Sequence, residues 1–359
     1  MKISASWLIR IALLMCLASC EDIYYPKEII SNSKIPVIQG MLVEGHAPVV
    51  TLSWAMGYYD KVQENISGAK VSVYDIDGDS IILDESTPGT YTTFSNAFIG
   101  VQGKTYKLNV TLPNGHSYVS NQVFLSRKPQ IDSIYAKPGI NTVYSYDENN
   151  VPFPEDQEGL FIYSDLSLTS DSLFFFRFST VVVKQSLYND LVGTLAEHPV
   201  FLWQSNQLDN RYTVDFSATT NNRQVIREHP NGFLHYYFDA SAQSETMTGT
   251  YISGWVLTLK VYSISRDVYD YYNSISQQVN GNNQLFAPDP SQVRSNIRCV
   301  DEPNSKIIGV FEASSYAVVY KAFQWESLTK YRFKVLETFP DNVGAGISPR
   351  FPPPFWVFF

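Results

Sequence analysis

Apolar and polar positions alternate with a period of two through most of residues 35–128, and short turn signals separate the alternating runs. The pattern is clearest at residues 69–75, where Ala69, Val71 and Val73 fall on one face of an extended chain. Asp-Gly and Asn-Gly pairs at residues 77–78 and 114–115 are typical of hairpin turns. Further strand-like runs occupy residues 37–43, 49–54, 80–83, 89–91, 103–110 and 118–125. Short strands at short spacing, without a helical period, predict an immunoglobulin/transthyretin-like β-sandwich.

Pro129 marks the predicted end of this sandwich, and residues 129–359 are predicted to form a larger, β-rich second domain. Residues 173–183 are apolar and aromatic, and residues 252–265 alternate over a length that crosses a sheet. Residues 146–159 are rich in acidic residues, Asn and Pro, so they are predicted to form a loop.

One amphipathic helix is predicted within the second domain, at about residues 265–280. Ser265 can cap its N-terminus, Asp267 suits the positive end of the helix dipole, and Gly281 is placed to end it. The apolar residues at helical spacing are Val268, Tyr271, Tyr272, Ile275 and Val279.

The N-terminus has the pattern of a secretion signal rather than of a fold element. Basic residues flank the start of an apolar run at residues 11–17, which is too short to span a bilayer permanently. The sequence Leu-Ala-Ser-Cys at residues 17–20 resembles a bacterial lipobox and implies that Cys20 is acylated once residues 1–19 are removed. Several acyl chains on one residue would anchor the protein stably. An ordinary signal peptide is the alternative.

The residues after Cys20 refine the expected location. Glu21 and Asp22 resemble the export signals of surface lipoproteins in Bacteroidota, with retention on the periplasmic leaflet as the alternative. Residues 20–34 are therefore expected to be the acylated cysteine and a tether. We expect a lipid-anchored outer-membrane protein that is exposed at the cell surface.

Charge and cysteine content narrow the possible partners. Loss of residues 1–19 removes Lys2 and Arg10 and no acidic residue, so the formal charge changes from −9 to −11. An acidic chain is unsuited to binding nucleic acid, which is held by clustered Lys and Arg. Cys16 leaves with the leader and Cys20 is acylated, so Cys299 remains alone and the mature chain cannot form an internal disulfide.

Motifs of known enzymes are not apparent in the sequence. The five histidines show no His-Glu-x-x-His spacing, there is no Gly-x-Ser-x-Gly sequence, and Cys299 lacks the context of a nucleophile. His229 and His235 flank a predicted Pro-Asn-Gly turn at residues 230–232 and are expected on the surface. We therefore expect no catalytic residues, no cofactor and no enzymatic activity.

Two acidic clusters were considered as metal sites. Asp75, Asp77 and Asp79 weakly resemble a calcium loop, but a hairpin turn explains them equally and the downstream bidentate Glu is absent. The second cluster is expected to be a solvated loop, and consists of Asp147, Glu148, Glu155, Asp156 and Glu158.

Aromatic residues give the candidate binding surfaces. Trp54, Tyr58 and Tyr59 follow a predicted strand into a loop, where rings can stack on sugars or anchor a protein partner. The tail at residues 351–359 contains Phe355 and Trp356 and is too apolar to remain in water. It is expected either to pack as a final strand or to dock on a neighbouring protein.

The order of several short motifs gives a resemblance over nearly all of the mature chain. After the lipobox and the sandwich come Ile-Asp-Ser-Ile-Tyr at 131–135, the tyrosine-rich helix, Ser-Asn-Ile at 295–297 and Gly-x-Phe-x-Ala-Ser-Ser at 309–315. This order resembles the Bacteroidota lipoprotein family called domain of unknown function 4249. Residues 174–177, Phe-Phe-Phe-Arg, stand where that family often has Tyr-Tyr-x-Arg, and the cysteine pair that often precedes its terminal Pro-x-Phe-Trp is absent here.

The resemblance implies a role beside TonB-dependent outer-membrane transporters, which such lipoproteins accompany as accessory or binding subunits. A glycan-binding or adhesin-like surface protein is the alternative. A hydrolase whose carboxylates come from distant strands is a third reading, and no particular pair of residues points to it.

Overall fold

The computed structural model describes residues 34–56, 61–94, 98–168, 173–190, 198–208, 213–220, 223–235, 250–281, 293–325 and 333–336. This part of the chain is mainly β, as the sequence predicts, with nineteen strands and one helix. The strands are β1 (Pro36–Val43), β2 (Val49–Trp54), β3 (Lys70–Asp75), β4 (Ser80–Thr87), β5 (Thr90–Thr92), β6 (Thr105–Thr111), β7 (Ser117–Ser120), β8 (Val123–Phe124), β9 (Gln130–Tyr146), β10 (Pro152–Leu168), β11 (Phe175–Asp190), β12 (His198–Gln207), β13 (Val214–Phe216), β14 (Ala218–Thr220), β15 (Arg223–His235), β16 (Thr250–Ile264), β17 (Ile297–Cys299), β18 (Ile308–Trp325) and β19 (Phe333–Leu336); the helix, α1, is Arg266–Gly281.

The first strands form the predicted sandwich. β1, β2 and β5 lie in one layer and β3, β6 and β7 in the other. β4 passes from one layer to the other, because residues 80–83 pair with β3 and residues 84–87 pair with β5. Leu52, Val73 and Leu108 are among the fully buried side chains that fill the space between the layers. Burial of this alternating apolar face stabilises the sandwich, at about 25 cal/mol for each Å² of apolar surface removed from water.

Strand β18 is shared by the two halves of the molecule. Its first half pairs in parallel with β1, and its second half pairs antiparallel with β16. Because side chains alternate along a strand, Phe311 and Ala313 enter the sandwich core, whereas Val310 packs with the helix. Gly309 has a φ of +132° and its Cα lies against the backbone of Ile38, so no larger residue fits there.

Strand β17, which comes late in the chain, also adds to the sandwich. The three-residue strand β17 pairs with β7, where Cys299 lies opposite Tyr118. Ile297 and Cys299 are buried in the same core as Leu108. The sandwich thus contains residues from both ends of the described chain.

The second half of the molecule is itself two-layered. A four-stranded sheet in the order β14-β15-β10-β9 packs on strands β11 and β16 of the large sheet. Leu160 and Ile162 of β10 meet Phe178 of β11 and Leu259 of β16 in a separate apolar core. This core explains why the apolar run at residues 173–183 is a central strand.

The helix lies where the sequence predicts it. The backbone N–H of Val268 donates to Oγ of Ser265 at 3.4 Å, which is an N-terminal cap, and the helix ends at Gly281. Val268 and Tyr271 are buried against Ile264 and Val310. Val279 departs from the prediction, because it lies in the last turn beyond the supporting sheet and is 48% exposed.

Membrane-spanning segments were sought among the described residues, and no helix there has both the length and the apolarity to cross a bilayer.

The prediction of a loop at residues 146–159 is wrong for most of its length. Strands β9 and β10 pair continuously, and only residues 147–151 form the turn between them. β15 pairs with β10 from Gly159 onward, and within the described ranges no third strand pairs with residues 140–158. These residues form a two-stranded projection, called the arm below, which is about 23 Å long for seven residues per strand.

The predicted turn at residues 230–232 is also wrong. Pro230, Asn231 and Gly232 lie within β15, where a shift in register against β10 makes a β-bulge. Gly232 has a φ of +127°. The bulge provides the change of direction that the Pro-Asn-Gly sequence suggests, but the strand continues through it.

Candidate functional site

Several residues that the sequence singles out lie outside the described residues. These are the acylation candidate Cys20, the loop residues Tyr58 and Tyr59, and the tail residues Phe355 and Trp356. The expectations for the lipid anchor and for the apolar tail therefore stay predictions.

Trp54 ends strand β2 and is half-buried. Its ring packs against the sandwich core, and the ammonium group of Lys34 lies 5.6 Å from the ring centroid. Lys34 also forms an ion pair with Glu64 at the surface. The ring is thus partly occupied by contacts within the chain, which leaves a small surface for an external ligand.

The three aspartates of the β3–β4 turn do not converge on one point. Asp75 is buried, its carboxylate forms an ion pair with Lys104, and its Oδ1 accepts a hydrogen bond from the amide of Asp77 at 3.1 Å. Asp77 is 4.0 Å from the same ammonium group. Burial by itself would raise the pKa of Asp75, but the bonds from Lys104 and the Asp77 amide outweigh it and lower that pKa. Lys104 therefore supplies the positive charge that a cation would otherwise provide.

Three of the motifs in the family resemblance, at residues 174–177, 295–297 and 309–315, meet at one buried place, called the junction below. Arg177 of β11 donates to both carboxylate oxygens of Glu312 on β18, from Nε at 3.1 Å and from Nη2 at 2.8 Å. Arg177 also stacks on Tyr262, with the guanidinium carbon 4.1 Å from the ring centroid. The side chains of Arg177 and Glu312 are only 13% and 2% exposed. Such a bidentate, stacked arrangement is specific for Arg.

The electrostatics of the junction favour a permanent ion pair. Burial would lower the pKa of Arg177, but the nearby carboxylate of Glu312 more than compensates, so the pKa of Arg177 is raised. Burial also raises the pKa of Tyr262. Ser314 donates to Glu312 at 2.7 Å, which satisfies a further lone pair of the buried carboxylate. The junction is thus a closed polar network suited to holding strands together.

The Ser-Asn-Ile motif completes the junction. The side chain of Asn296 donates to the carbonyl of Phe311 at 2.8 Å and accepts from the amide of Phe311 at 2.9 Å. Ser295 Oγ donates to the carbonyl of Gly309 at 2.6 Å. These bonds satisfy backbone groups on the side of β18 where Asn296 takes the place of a paired strand.

His229 is buried rather than on the surface, which corrects the prediction made for it. Its ring stacks on Phe178 at 3.6 Å between centroids, and its Nδ1 lies 2.9 Å from Oδ2 of Asp215. Asn231 donates to Ser164 at 2.9 Å in the same layer. His235, six residues along, is exposed at the end of β15. The two histidines therefore do not form one site.

The arm is an exposed element that the sequence did not predict. Directly paired residues share a face, so Tyr144 lies beside Pro154 and Tyr146 beside Pro152. Tyr144 is 72% exposed and Tyr146 is 67% exposed. One face of the arm tip therefore presents two aromatic rings and two prolines to solvent.

The arm is ordered by its own hydrogen bonds. Oδ1 of Asp147 accepts from the amides of Asn149 and Val151, each at 2.8 Å, which fixes the turn. Asn150 takes the left-handed φ of 61° that this turn requires and that Asn tolerates. Along the strands, Thr142 donates to Asp156 at 2.6 Å.

The base of the arm is held firmly on the four-stranded sheet. The rings of Tyr135 and Tyr163 stack at 5.9 Å, and the ammonium group of Lys137 lies 4.9 Å from the Tyr163 centroid. Lys137 also pairs with Glu228 at 2.8 Å. An isolated two-stranded ribbon is only marginally stable in water, so this anchored base and the fixed turn are what keep the arm formed.

The arm is strongly acidic. Residues 138–158 contain five acidic residues and no Lys, Arg or His, which gives this short segment a formal charge of −5. These acids were predicted to lie in a loop. The available signal for a strand was that Ile140, Tyr144 and Tyr146 fall on one face of an extended chain.

Two cavities lie among the described residues. One of about 300 Å³ is lined mainly by apolar side chains near the β15 bulge, including Phe161, Leu208 and Phe233. Another of about 240 Å³ lies beside β6, next to Tyr74, Lys107 and Gln122. Neither is lined by a pair of carboxylates that could act together as acid and base.

Comparison with known proteins gives a family match. The family model described as Domain of unknown function (DUF4249) matches residues 23–318. Neither the curated proteins nor the solved structures contain a match to the chain. The match spans the sandwich, the junction and the arm, and this chain therefore belongs to the DUF4249 family.

Proposed function

We propose that this protein is a non-enzymatic, lipid-anchored lipoprotein of the outer membrane, exposed at the cell surface, that binds a membrane partner through its arm. The partner proposed is a TonB-dependent β-barrel transporter, for which this protein would be an accessory or binding subunit. The observation that carries the proposal is the arm itself, because it is an ordered projection with an exposed aromatic face.

The arm has the properties of a preformed binding element. Its turn and its base are fixed by internal contacts, so little conformational entropy would be lost when a partner binds. Tyr144 and Tyr146 are suited to act as anchors, since tyrosines carry a large share of the binding energy in many interfaces. A large exposed aromatic patch without a partner would otherwise favour aggregation.

The charge of the arm indicates the chemistry of the partner surface. With a formal charge of −5, residues 138–158 suit a groove lined by Lys and Arg. Nucleic acid and anionic lipid headgroups are repelled by the same charge. A basic, partly apolar groove on the loops of a β-barrel is the surface that we propose.

The membrane anchor rests on the leader sequence and on acylation of Cys20. A Cys20→Ala variant should be released into the soluble fraction after the leader is cleaved, because the acyl chains would be missing. A cleaved Cys20→Ala variant that stays in the membrane fraction would contradict this part of the proposal.

The experiment that tests the proposal is affinity purification of the lipidated protein from its native outer membrane in mild detergent, followed by mass spectrometry. We expect one β-barrel transporter in a stoichiometric amount. The decisive comparison is a variant in which residues 140–158 are replaced by Asn-Gly. This variant keeps the strand pairing because Gly139 lies opposite Gly159.

The shortened variant should remain folded and anchored but lose the transporter. Recovery of the transporter by the shortened variant would exclude the arm as its binding site. Recovery of the wild-type protein alone would exclude a stable transporter complex.

Glycan binding is a second candidate function that the arm also supports. Exposed tyrosine rings can stack on sugars, and the carboxylates of Glu155 and Asp156 nearby can accept hydrogen bonds from hydroxyl groups. A screen of glycans against the wild-type protein and a Tyr144→Ala variant tests it. Binding that depends on Tyr144, without a co-purifying transporter, would favour this second function.

A further inference from the structure

Three side chains of metal-binding type come together at the edge of the sandwich. His116 ends the turn between β6 and β7, Cys299 is the last residue of β17, and Asp301 follows two residues later. The candidate ligand atoms of these three residues all lie within 4.8 Å of one another. None of these three residues belongs to the arm or to the polar network of the junction.

Strand pairing explains how these residues meet. Cys299 is opposite Tyr118 in the β17–β7 ladder, and the amide of Val300 donates to the carbonyl of Ser117 at 2.8 Å. Ser117 and Asp301 are 184 positions apart in the sequence. No local spacing motif could therefore have revealed the cluster, and Cys299 looks solitary in the sequence.

Two of the three candidate ligand atoms already accept hydrogen bonds from backbone amides, which orient them. Oδ2 of Asp301 accepts from the amide of Ser117 at 2.7 Å, and Sγ of Cys299 accepts from the amide of Glu302 at 3.4 Å. Hydrogen bonds of this kind hold metal-binding side chains in a fixed orientation. Asp301 has two carboxylate oxygens and can keep the Ser117 bond while it binds an ion.

We propose that His116, Cys299 and Asp301 bind one Zn²⁺ ion. A thiolate sulfur, an imidazole nitrogen and a carboxylate oxygen are the ligand types that zinc uses, and the thiolate disfavours Ca²⁺ and Mg²⁺. One thiolate and one carboxylate balance the charge of a divalent ion.

The geometry is compatible with closure around an ion. Zinc bonds of about 2.0 to 2.3 Å place tetrahedral ligand atoms roughly 3.3 to 3.7 Å apart. The three candidate ligand atoms lie within 4.8 Å of one another, so they would move by about 1 Å to bind the same ion. His116 is half-buried and Asp301 is exposed, so both can rotate, whereas the buried Cys299 is held in place by the core.

A bound ion would strengthen the attachment of β17 to the rest of the sandwich. β17 has only three residues, and in the part of the chain that the structure describes it pairs with one strand, β7. His116 on the β6–β7 turn, together with Cys299 and Asp301 beside Val300, would hold the end of β17 against the sandwich. The fourth coordination position would be open to water.

The test is metal binding by the full-length protein, purified, stripped with a chelator and titrated with Zn²⁺ by calorimetry, together with Co²⁺ absorption spectroscopy. We expect one Zn²⁺ per chain and a thiolate-to-cobalt charge-transfer band. A Cys299→Ser variant should lose the band. An Asp301→Asn variant can still accept the Ser117 amide, and it should bind Zn²⁺ at least about tenfold more weakly because one anionic ligand is lost.

A His46→Ala variant is the matched control, since His46 is exposed and lies outside the cluster. It should bind Zn²⁺ like the wild-type protein. Cys299 is buried, so circular dichroism must show that the Cys299→Ser variant is folded. If that variant is misfolded, the Zn²⁺ affinity of Asp301→Asn decides the test. Unchanged Zn²⁺ affinity in Asp301→Asn, or a charge-transfer band that survives in Cys299→Ser, would overturn the proposal.

Discussion

The junction and the arm use similar residues in opposite ways. At the junction, Arg177, Glu312 and Tyr262 lie in the interior, where each polar group is paired. On the arm, tyrosines and carboxylates face solvent with few neighbours. The motifs at the junction hold strands together, whereas the surface that we propose for binding lies at residues 140–158, which carry none of the motifs of the family resemblance.

Burial determines what each carboxylate does. Glu312 is 2% exposed, so its negative charge must be matched by Arg177 and cannot be offered to another molecule. Glu155 and Asp156 are exposed, and their charges contribute to the field that a partner meets. The difference leads to predictions that separate stability from binding.

The largest expected effect is that of Glu312→Ala. Removal of the carboxylate leaves the buried guanidinium of Arg177 without its counter-charge, which should lower the free energy of unfolding by about 3–5 kcal/mol. Urea denaturation followed by circular dichroism measures this. The matched control, Glu155→Ala on the arm, should change stability by less than about 0.5 kcal/mol.

The pair Arg177→Met with Glu312→Leu sharpens this prediction. Both charges are then removed together, so the double variant should be more stable than Glu312→Ala alone. A double variant as unstable as Glu312→Ala would mean that packing, rather than an unpaired charge, accounts for the loss.

Asn296→Ala should have the next largest effect. It removes one donor and one acceptor that satisfy the backbone of Phe311, which should cost about 2 kcal/mol in the free energy of unfolding. Ser295→Ala should cost less, about 1 kcal/mol. Equal stability of Asn296→Ala and the wild-type protein would show that the Ser-Asn-Ile motif does not stabilise the junction.

A smaller, pH-dependent effect is expected for Asp75→Asn. Because the pKa of Asp75 is lowered in the folded protein, its contribution to stability is present above the unfolded-state pKa, near about 4. That contribution is lost as the pH falls through the lower, folded-state pKa. The stability difference between the wild-type protein and Asp75→Asn should therefore shrink below about pH 4 in urea denaturation. A difference that is constant with pH would contradict an ionic role for Asp75.

The smallest effect on stability is expected for the Tyr144→Ala, Tyr146→Ala double variant. Both rings are largely exposed, so the free energy of unfolding should change by less than about 0.5 kcal/mol. A loss of more than about 2 kcal/mol would show that the rings support the fold, and would weaken the contrast between arm and junction.

The sequence predicted the elements that depend on local patterns. The strands of the sandwich follow from alternation and Gly-containing turns, and α1 follows from Ser265 and the spacing of Val268 and Tyr271. The parallel pairing of β1 with β18 could not be predicted, because it joins distant parts of the chain and leaves no local signal.

Most of the arm, residues 146–158, was predicted as a loop for a physical reason. None of its strand residues is fully buried, so the apolar pattern that identifies a strand is weak, and its Pro, Asn and acidic residues are typical of loops. At the junction the sequence singled out Arg177 but not its partner Glu312, because the two residues are 135 positions apart and no local pattern pairs them.

Co-purification from the native outer membrane is the direct test of whether the arm binds the partner while the junction maintains the fold. The wild-type protein should be compared with the Tyr144→Ala, Tyr146→Ala double variant and with Ile82→Ala, an exposed apolar control on β4. We predict that Ile82→Ala recovers as much transporter as the wild-type protein, and that the double variant recovers at least about tenfold less while it stays equally stable. Equal recovery by all three proteins would contradict the claim.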